Sequence, residues 1–341
     1  MAGAQPAWRK GNPLRTLKHY WKLAFWLLSV LLVAYVVSIT PFGAVFETLA
    51  GLRPGQIGLL VVVNLGIILL MAVRWWWILR SKGHRLPFPA IVRYRLAAFG
   101  VSYFTPGPQF GGEPLQVYFL HKNHRLDASE ALMALTLDKL LDLLANFTFL
   151  AFGVLVVVSG GYLNPQDNLP VLLSVFVLVL LPWGYLLLLY LDKKPFSALF
   201  GKLLGAFIEK ARRQTIYMAI HDAEAGMSHY CRKCTLSVLG LMVVSGVVWA
   251  ALVFEFWLML SYLGAQVNLW GVVVFITAAR LAFLTPLPGG LGALEISQVM
   301  AAQALGFGPE IGASIGLLIR LRDVSVGLAG LVWGGILTRK F

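Results

Sequence analysis

The chain has 341 residues, of which 59% are hydrophobic and 13% charged, and its mean hydropathy is +0.77. A soluble domain carries about one-quarter charged residues, so a water-soluble globule is excluded. The apolar runs are continuous rather than alternating, which excludes an outer-membrane barrel. The net charge of +13 does not indicate nucleic acid, because the basic residues sit in short segments beside apolar spans, where they would face anionic head groups.

Read in chain order, the sequence predicts an all-α polytopic membrane protein forming a single integral-membrane domain over residues 1–341. Six full spans are expected at 23–40, 57–79, 128–158, 171–191, 235–263 and 310–337, each near the roughly 20 residues that cross a bilayer. The first run, Leu23 to Ile39, is long for the apolar core of a signal peptide and lacks a cleavage site. Two further apolar segments, 90–121 and 268–305, are each interrupted. The first contains TPGPQFGGE, from Thr105 to Glu113; the second contains TPLPGGLGALE, from Thr285 to Glu295.

Lysine and arginine set the expected orientation. Residues 1–22 carry Arg9, Lys10, Arg15, Lys18 and Lys22. Residues 80–95 carry Arg80, Lys82, Arg85, Arg93 and Arg95. Residues 192–234 are also basic, whereas 159–170 and 264–269 have no Lys or Arg. The basic segments are therefore expected in the cytoplasm, with both termini inside and the protein in the cell (inner) membrane. The first interrupted segment then enters and leaves on the cytoplasmic side, and the second on the outside. Each becomes a re-entrant helical hairpin. Residues 57–158 form one repeat and 235–337 a second of opposite orientation, an inverted-topology repeat. The spacing from Glu113 to Asp138 equals that from Glu295 to Arg320.

Proline ends helices, so Pro106, Pro108, Pro286 and Pro288 mark the breaks, and Gly111, Gly112, Gly289, Gly290 and Gly292 allow the turn. Backbone groups freed by a break are tolerated in a membrane only where protein or a watery cavity covers them. Half-helix N-termini offer N–H groups to an anion. The two breaks are thus expected to meet near the midplane and to build a substrate site from Thr105, Pro106, Gly112, Glu113, Thr285, Pro286, Gly289, Gly290, Gly292 and Glu295.

Ionisable residues inside apolar segments are costly and point to function or pairing. They include Asp138, Lys139, Asp142, Arg280, Arg320, Arg322 and Asp323. Asp138, Arg280 and Arg320 join the candidate site, because an arginine fork could grip a lipid phosphate. Glu113 and Glu295 could hold a cationic head group or couple protons. Lys139, Asp142, Arg322 and Asp323 suit helix–helix pairing equally well. Arg74 and Glu255 are expected to snorkel or to pair between helices.

Residues 192–234 are expected to be a basic cytoplasmic connector, with 196–213 an amphipathic helix on the membrane surface. RWWWILR, Arg74 to Arg80, has the composition of an interfacial aromatic belt. Cys231 and Cys234 are expected to be reduced thiols on a cytosolic loop, since their spacing fits no strong zinc pattern. No metal and no cofactor are expected. The expected partners are membrane lipids with anionic or lipid-linked head groups; no nucleic acid is expected, and self-association stays open.

GGEPLQVYFLHK after Thr-Pro, LTLDKLLDLL downstream, and TPLPGGLGALE before an arginine-bearing helix resemble the lysylphosphatidylglycerol synthase/flippase membrane-region family, the integral-membrane part of the multiple peptide resistance factor. The most specific element, Pro-Gly-Gly-x-Gly-x-x-Glu, reads here as Pro288, Gly289, Gly290, Gly292 and Glu295. The resemblance covers the chain from about residue 20 to its end. It implies inverted repeats with re-entrant helices, and transfer of phospholipids or lipid-linked head groups between leaflets. In the full synthase an aminoacyl-transferase domain follows; this chain ends at Phe341, so lysyl-lipid synthesis is not expected of it. Gln116 stands where a basic residue often follows the glutamate. Two other classes compete with a lipid flippase. One is an ion- or proton-coupled small-solute carrier, which broken helices and buried carboxylates also suit. The other is a membrane transferase acting on a lipid-phosphate carrier, for which 192–234 offers no paired acidic motif. No Gly-Lys-Ser/Thr phosphate loop occurs, so an ATP motor is not expected.

Overall fold

The computed structural model describes residues 47, 50–105, 111–161, 169–199, 210–285 and 287–339. These are helical, joined by short turns: α1 Pro54–Ser81, α2 Phe88–Phe104, α3 Glu113–His124, α4 Ala128–Ser159, α5 Leu169–Tyr190, α6 Pro195–Leu199, α7 Lys210–Lys233, α8 Thr235–Tyr262, α9 Leu269–Phe283, a 3-10 turn Pro288–Gly290, α10 Ala293–Ala304 and α11 Pro309–Arg339. The expected first span, 23–40, lies outside the described residues, as do Pro106, Pro108 and Pro286.

Local chemistry sets the ends. Pro54 opens α1, where its missing N–H has no partner to lose. The backbone N–H of Arg53 donates to Gln56 Oε1 at 2.8 Å. Thr105 is extended, at φ −90° and ψ 144°, as the residue before a proline prefers, so α2 stops there. Asn268 caps α9 by accepting the N–H of Gly271 at 2.9 Å.

Four helical stretches are long and apolar enough to cross a membrane: α1, α4, Leu172–Tyr190 of α5, and α8. Large apolar side chains such as Val62, Leu65, Leu155, Leu181, Val243 and Val332 stand exposed around them. That is the surface of a membrane protein. Lipid tails are as apolar as leucine, so helices there are held by close packing and polar ties rather than by escape from water. Both devices are prominent here.

The packing forms two main cores. One gathers Trp75 and Ile78 from α1, Tyr94 from α2, Phe119 from α3, Leu137 and Leu141 from α4, and Tyr230 and Cys231 from α7. The other gathers Phe256 and Leu260 from α8, Phe275 and Ile276 from α9, Leu294 from α10, and Ile315 and Ile319 from α11. The most extensive helix contact crosses between these groups, α2 against α11. Glycines make it. A Cβ on Gly330 would lie 2.0 Å from the Leu96 carbonyl oxygen, and one on Gly100 would lie 2.6 Å from that of Gly327. The backbones therefore touch directly, as small residues permit in membranes.

Several expectations need correction. Trp75 of RWWWILR is fully buried, Trp76 donates to the Leu86 carbonyl at 2.9 Å, and only Trp77 of the three is exposed. The run is mostly core, because three successive residues cannot all face lipid on a helix. Cys231 lies on helix α7 rather than a loop, buried in the first core, and burial pushes its thiol up to about 11. Arg93 and Arg95 belong to α2, not to the basic loop. The amphipathic segment 196–213 falls largely outside the described residues.

Candidate functional site

Both interrupted segments have the helix–break–helix form and share a local construction. At the end of the first half-helix a threonine hydroxyl bonds back one turn: Thr105 Oγ1 to the Ser102 carbonyl at 3.2 Å, and Thr285 Oγ1 to the Ala282 carbonyl at 2.6 Å. At the start of the second half-helix a glutamate caps the chain. Glu113 Oε2 accepts the N–H of Gly111 at 2.7 Å, and Glu295 Oε2 accepts that of Gly292 at 2.9 Å. The other oxygen of each glutamate meets a cation from the next long helix. Glu113 Oε1 lies 3.0 Å from Lys139 Nζ, and Glu295 Oε1 lies 2.6 Å from Arg320 Nη2.

Glycine is required at the breaks. A Cβ on Gly112 would sit 2.0 Å from the Ala98 carbonyl oxygen. Gly289 has φ +53°, and a side chain there would press on Tyr103 and Arg320. The N–H of Gly112 is taken by Ser102 Oγ at 2.9 Å. The N–H groups of Gly111, Gly112 and Gly292, at the starts of α3 and α10, are thus taken by side chains of their own segments.

Arg320 is the fastener of the second break. Its Nε also reaches Glu295 Oε1, Nη1 donates to the Gly289 carbonyl and to the Tyr103 hydroxyl at 3.0 Å, and Nη2 approaches the Gly290 carbonyl at 3.4 Å. Tyr103 belongs to α2, so this arginine also joins the two broken segments.

Asp138 is buried and bonded on both oxygens. Arg74 Nε lies 2.6 Å from Oδ1, and Arg95 Nη1 lies 2.8 Å from Oδ2. Arg74 continues to Asp142 Oδ1 at 3.1 Å and Ser245 Oγ at 3.0 Å. Three helices, α1, α4 and α8, are tied through the Arg74 guanidinium, and α2 joins them through Arg95 on Asp138. On the opposite side Arg322 Nη1 meets Glu255 Oε2 at 2.7 Å, Arg322 Nε meets Asp323 Oδ1 at 2.9 Å, and Asn64 donates to Glu255. Arg74 and Glu255 are deep interhelical partners; neither snorkels.

Between these networks lies a cavity of about 240 Å³. Glu113 and Arg280 of the expected site line it, together with Lys139, Asp142, Arg322 and Asp323. Asp138, Thr105, Gly112, Thr285, Gly289, Gly290, Gly292, Glu295 and Arg320 do not; they build the walls behind it or the turns beside it. Sequence reasoning missed Arg95, Asn64, Asn146 and Trp249, which do line it. Arg95 had a signal, since Pro87 and Pro89 mark a helix start before it. Arg280 differs from the other lining cations. It lies over the Trp249 ring at 4.7 Å, Trp249 stacks on Phe149 at 4.4 Å, and Arg280 has no ion pair among the described residues. The cavity lining contains no His or Cys. Ser102, its one serine, accepts the Gly112 N–H. The polar groups of the lining are mainly carboxylates, cations and amides.

The family model for the lysylphosphatidylglycerol synthase TM region matches residues 23–330. The chain belongs to this family. Similar proteins include a UPF0104 membrane protein of Methanothermobacter thermautotrophicus, 24% identical over 89% of this chain and 91% of that protein. A UPF0104 membrane protein of Pyrococcus horikoshii is 24% identical over 80% of this chain and 83% of its own length. One from Methanocaldococcus jannaschii is 20% identical over 86% and 88%. No solved structure matches. The family match covers both broken segments and the charged cavity beside them.

Proposed function

We propose that the protein moves a phospholipid or lipid-linked head group between leaflets through the charged cavity. The observation that carries this reading is the cavity itself. It is flanked by two broken segments and lined by ion pairs that make a polar path through apolar helices. A head group must leave water to cross, and a chamber of fixed charges and amides substitutes for that water. In this reading both segments are re-entrant hairpins in an inverted-topology repeat, the termini are cytoplasmic, and the protein sits in the cell membrane. The chain acts as a translocator without catalysing a covalent step, and Asp138, Glu295 and Arg320 support the path.

The test is lipid movement in proteoliposomes, followed with head-group-labelled lipids and an external quencher. Wild type should move label faster than protein-free vesicles. Glu113→Gln, which lines the cavity, should slow movement more than Glu295→Gln, which does not. Absence of movement by wild type, with and without a proton gradient, would overturn the proposal in favour of a small-solute carrier.

A further inference from the structure

The far end of the first broken segment is fastened to α2 by a chain of three side chains. Helix α3 closes on His121, Lys122, Asn123 and His124, and Arg125 after it is left-handed, at φ +55°, with its N–H on the Leu120 carbonyl. Asn123 Nδ2 donates to the Tyr94 hydroxyl oxygen at 3.1 Å, and that hydroxyl lies 3.0 Å from His124 Nε2. Tyr94 belongs to α2, is 3% exposed and stacks on Phe119 of α3 at 5.0 Å. It is a fixed post to which the end of α3 is tied.

The order of donors in this chain sets the charge of His124. A tyrosine hydroxyl has one proton to give. Its oxygen accepts from Asn123 Nδ2, and its proton goes to His124 Nε2, so the imidazole is neutral there. This placement leaves Asn123 Oδ1 buried without a partner, which costs free energy, so the tie closes by a narrow margin. A protonated imidazole has donors on both nitrogens and cannot receive the tyrosine proton. The chain then runs the other way only if the amide turns over, and the new charge stays half-buried.

The surroundings do not offset that charge. From α2 His124 meets Tyr94. On its own turn, His121 is bound to the Leu126 carbonyl at 2.7 Å, Lys122 to the Tyr118 hydroxyl at 2.8 Å, and Arg125 adds a like charge. Helix α4, also packed against α3, begins with Asp127 and Glu130; Glu130 lies 3.2 Å from His84 Nε2, out of line for a hydrogen bond. Burial is what acts on His124, and it holds the imidazole below the ordinary histidine range. The closed tie therefore binds fewer protons than the open one. Its advantage is full above about pH 6.5, the ordinary histidine value, and shrinks as pH falls below it.

The other end of the same helix reaches the cavity. Helix α3 starts at Glu113, which lines the cavity and pairs with Lys139. Its 12 residues, at about 1.5 Å each, make one rigid link between the two ends. We propose that Asn123, Tyr94 and His124 form a proton-sensitive latch, closed on a neutral His124 and opened by acid, that sets how firmly α3 holds Glu113 in the cavity wall. The latch does not depend on what the cavity carries. Its effect on transport rests on the translocation reading, which puts the latch on the cytoplasmic side.

The experiment is hydrogen–deuterium exchange of the purified full-length protein in detergent between about pH 5.5 and 7.5, a range that spans the ordinary histidine value. Each rate is divided by the intrinsic amide rate at that pH. Protection of the α3 amides nearest His124 should fall as pH drops, by up to about tenfold per pH unit, the limit for one proton. His124→Gln keeps an acceptor for the Tyr94 proton and takes no charge, so its protection should stay level. Tyr94→Phe removes the hydroxyl, so its protection should be low and level throughout. His84→Gln should respond as wild type does. Level protection in wild type, or a response that survives in His124→Gln, would overturn the latch. Loss of the response in His84→Gln would do the same and move the switch to the Glu130 contact. If His124→Gln does not fold, a magnetic resonance titration of histidine-labelled wild type decides. A His124 midpoint below about 6.5 supports the latch, and one at or above it sinks the idea. In vesicles, acid on the latch side should change the rate of lipid movement in wild type and not in His124→Gln. Transport that ignores pH while exchange responds would overturn the link to the cavity wall. An exchange response from protein that moves no lipid would sink translocation and keep the latch.

Discussion

At residues 105–113 a lysine meets the capping glutamate through one nitrogen; at 285–295 an arginine meets it through two and reaches three more oxygens. The caps are otherwise alike, with the same threonine bond and the same glutamate-to-glycine bond. The difference lies in the fastener and in what it faces. Glu113 and Lys139 open onto the cavity, whereas Glu295 and Arg320 turn inward to the second break and Tyr103. The second segment is thus expected to behave as a strut and the first as a more yielding wall, because the ion pair of the first is the more exposed. Matched local sequence does not give matched mechanics, because the partner arrives from a distant helix.

This comparison can be broken at its joint. Gly330→Val places a Cβ against the Leu96 carbonyl, so α2 and α11 should separate and folded, monodisperse protein should be lost on gel filtration. Next in size, Arg320→Ala leaves Glu295 and two carbonyls unmatched; thermal unfolding in detergent should show a loss of about 3 kcal/mol, as for breaking a mostly buried pair. Lys139→Ala should lose under about 1 kcal/mol, because its pair is part-exposed. Equal losses would erase the distinction between strut and wall. An exchange sharpens it: Arg320→Lys should cost about 1–2 kcal/mol through the lost fork, while Lys139→Arg should be near neutral. The smallest effect is a labelling rate. Cys231 packs in the first core with its thiol pushed up to about 11, so at pH 8 it is nearly all protonated and should react with maleimide far more slowly than Cys234. The rate should rise with pH toward that value. Lys139→Ala should raise it if the first unit loosens, and Arg320→Ala should leave it nearer wild type.

The helices were legible because length and apolar content are local properties. Pro54, Pro87 and the residues around Thr105 and Thr285 mark their ends in the sequence itself. The glutamate caps were foreshadowed by matched spacing, and Arg280 by its isolation in an apolar run. What stayed hidden was partner choice. Nothing near Asp138 tells that it meets Arg74 and Arg95 from two other helices, or that Trp75 faces inward while Trp77 faces out. Arg95 looked like a loop charge because orientation is inferred from counts of basic residues, and counting ignores which face a side chain occupies. Asn146 and Trp249 carry no distinguishing signal in one sequence; only the packing of α4, α8 and α9 brings them to one space.

The ion-pair cluster around the cavity has an electrical consequence. Among the described residues it holds five cations, Arg74, Arg95, Lys139, Arg280 and Arg322, and five carboxylates, Glu113, Asp138, Asp142, Glu255 and Asp323. Its sum is zero. Moving a unit charge across the membrane field involves about 2.3 kcal/mol per 100 mV, so an empty, neutral cluster can rearrange without net work against the voltage. A monoanionic cargo changes that sum by one. In the translocation reading proposed above, the membrane potential would then act on the loaded step more than on the return step, and the direction of movement would follow the charge of the cargo.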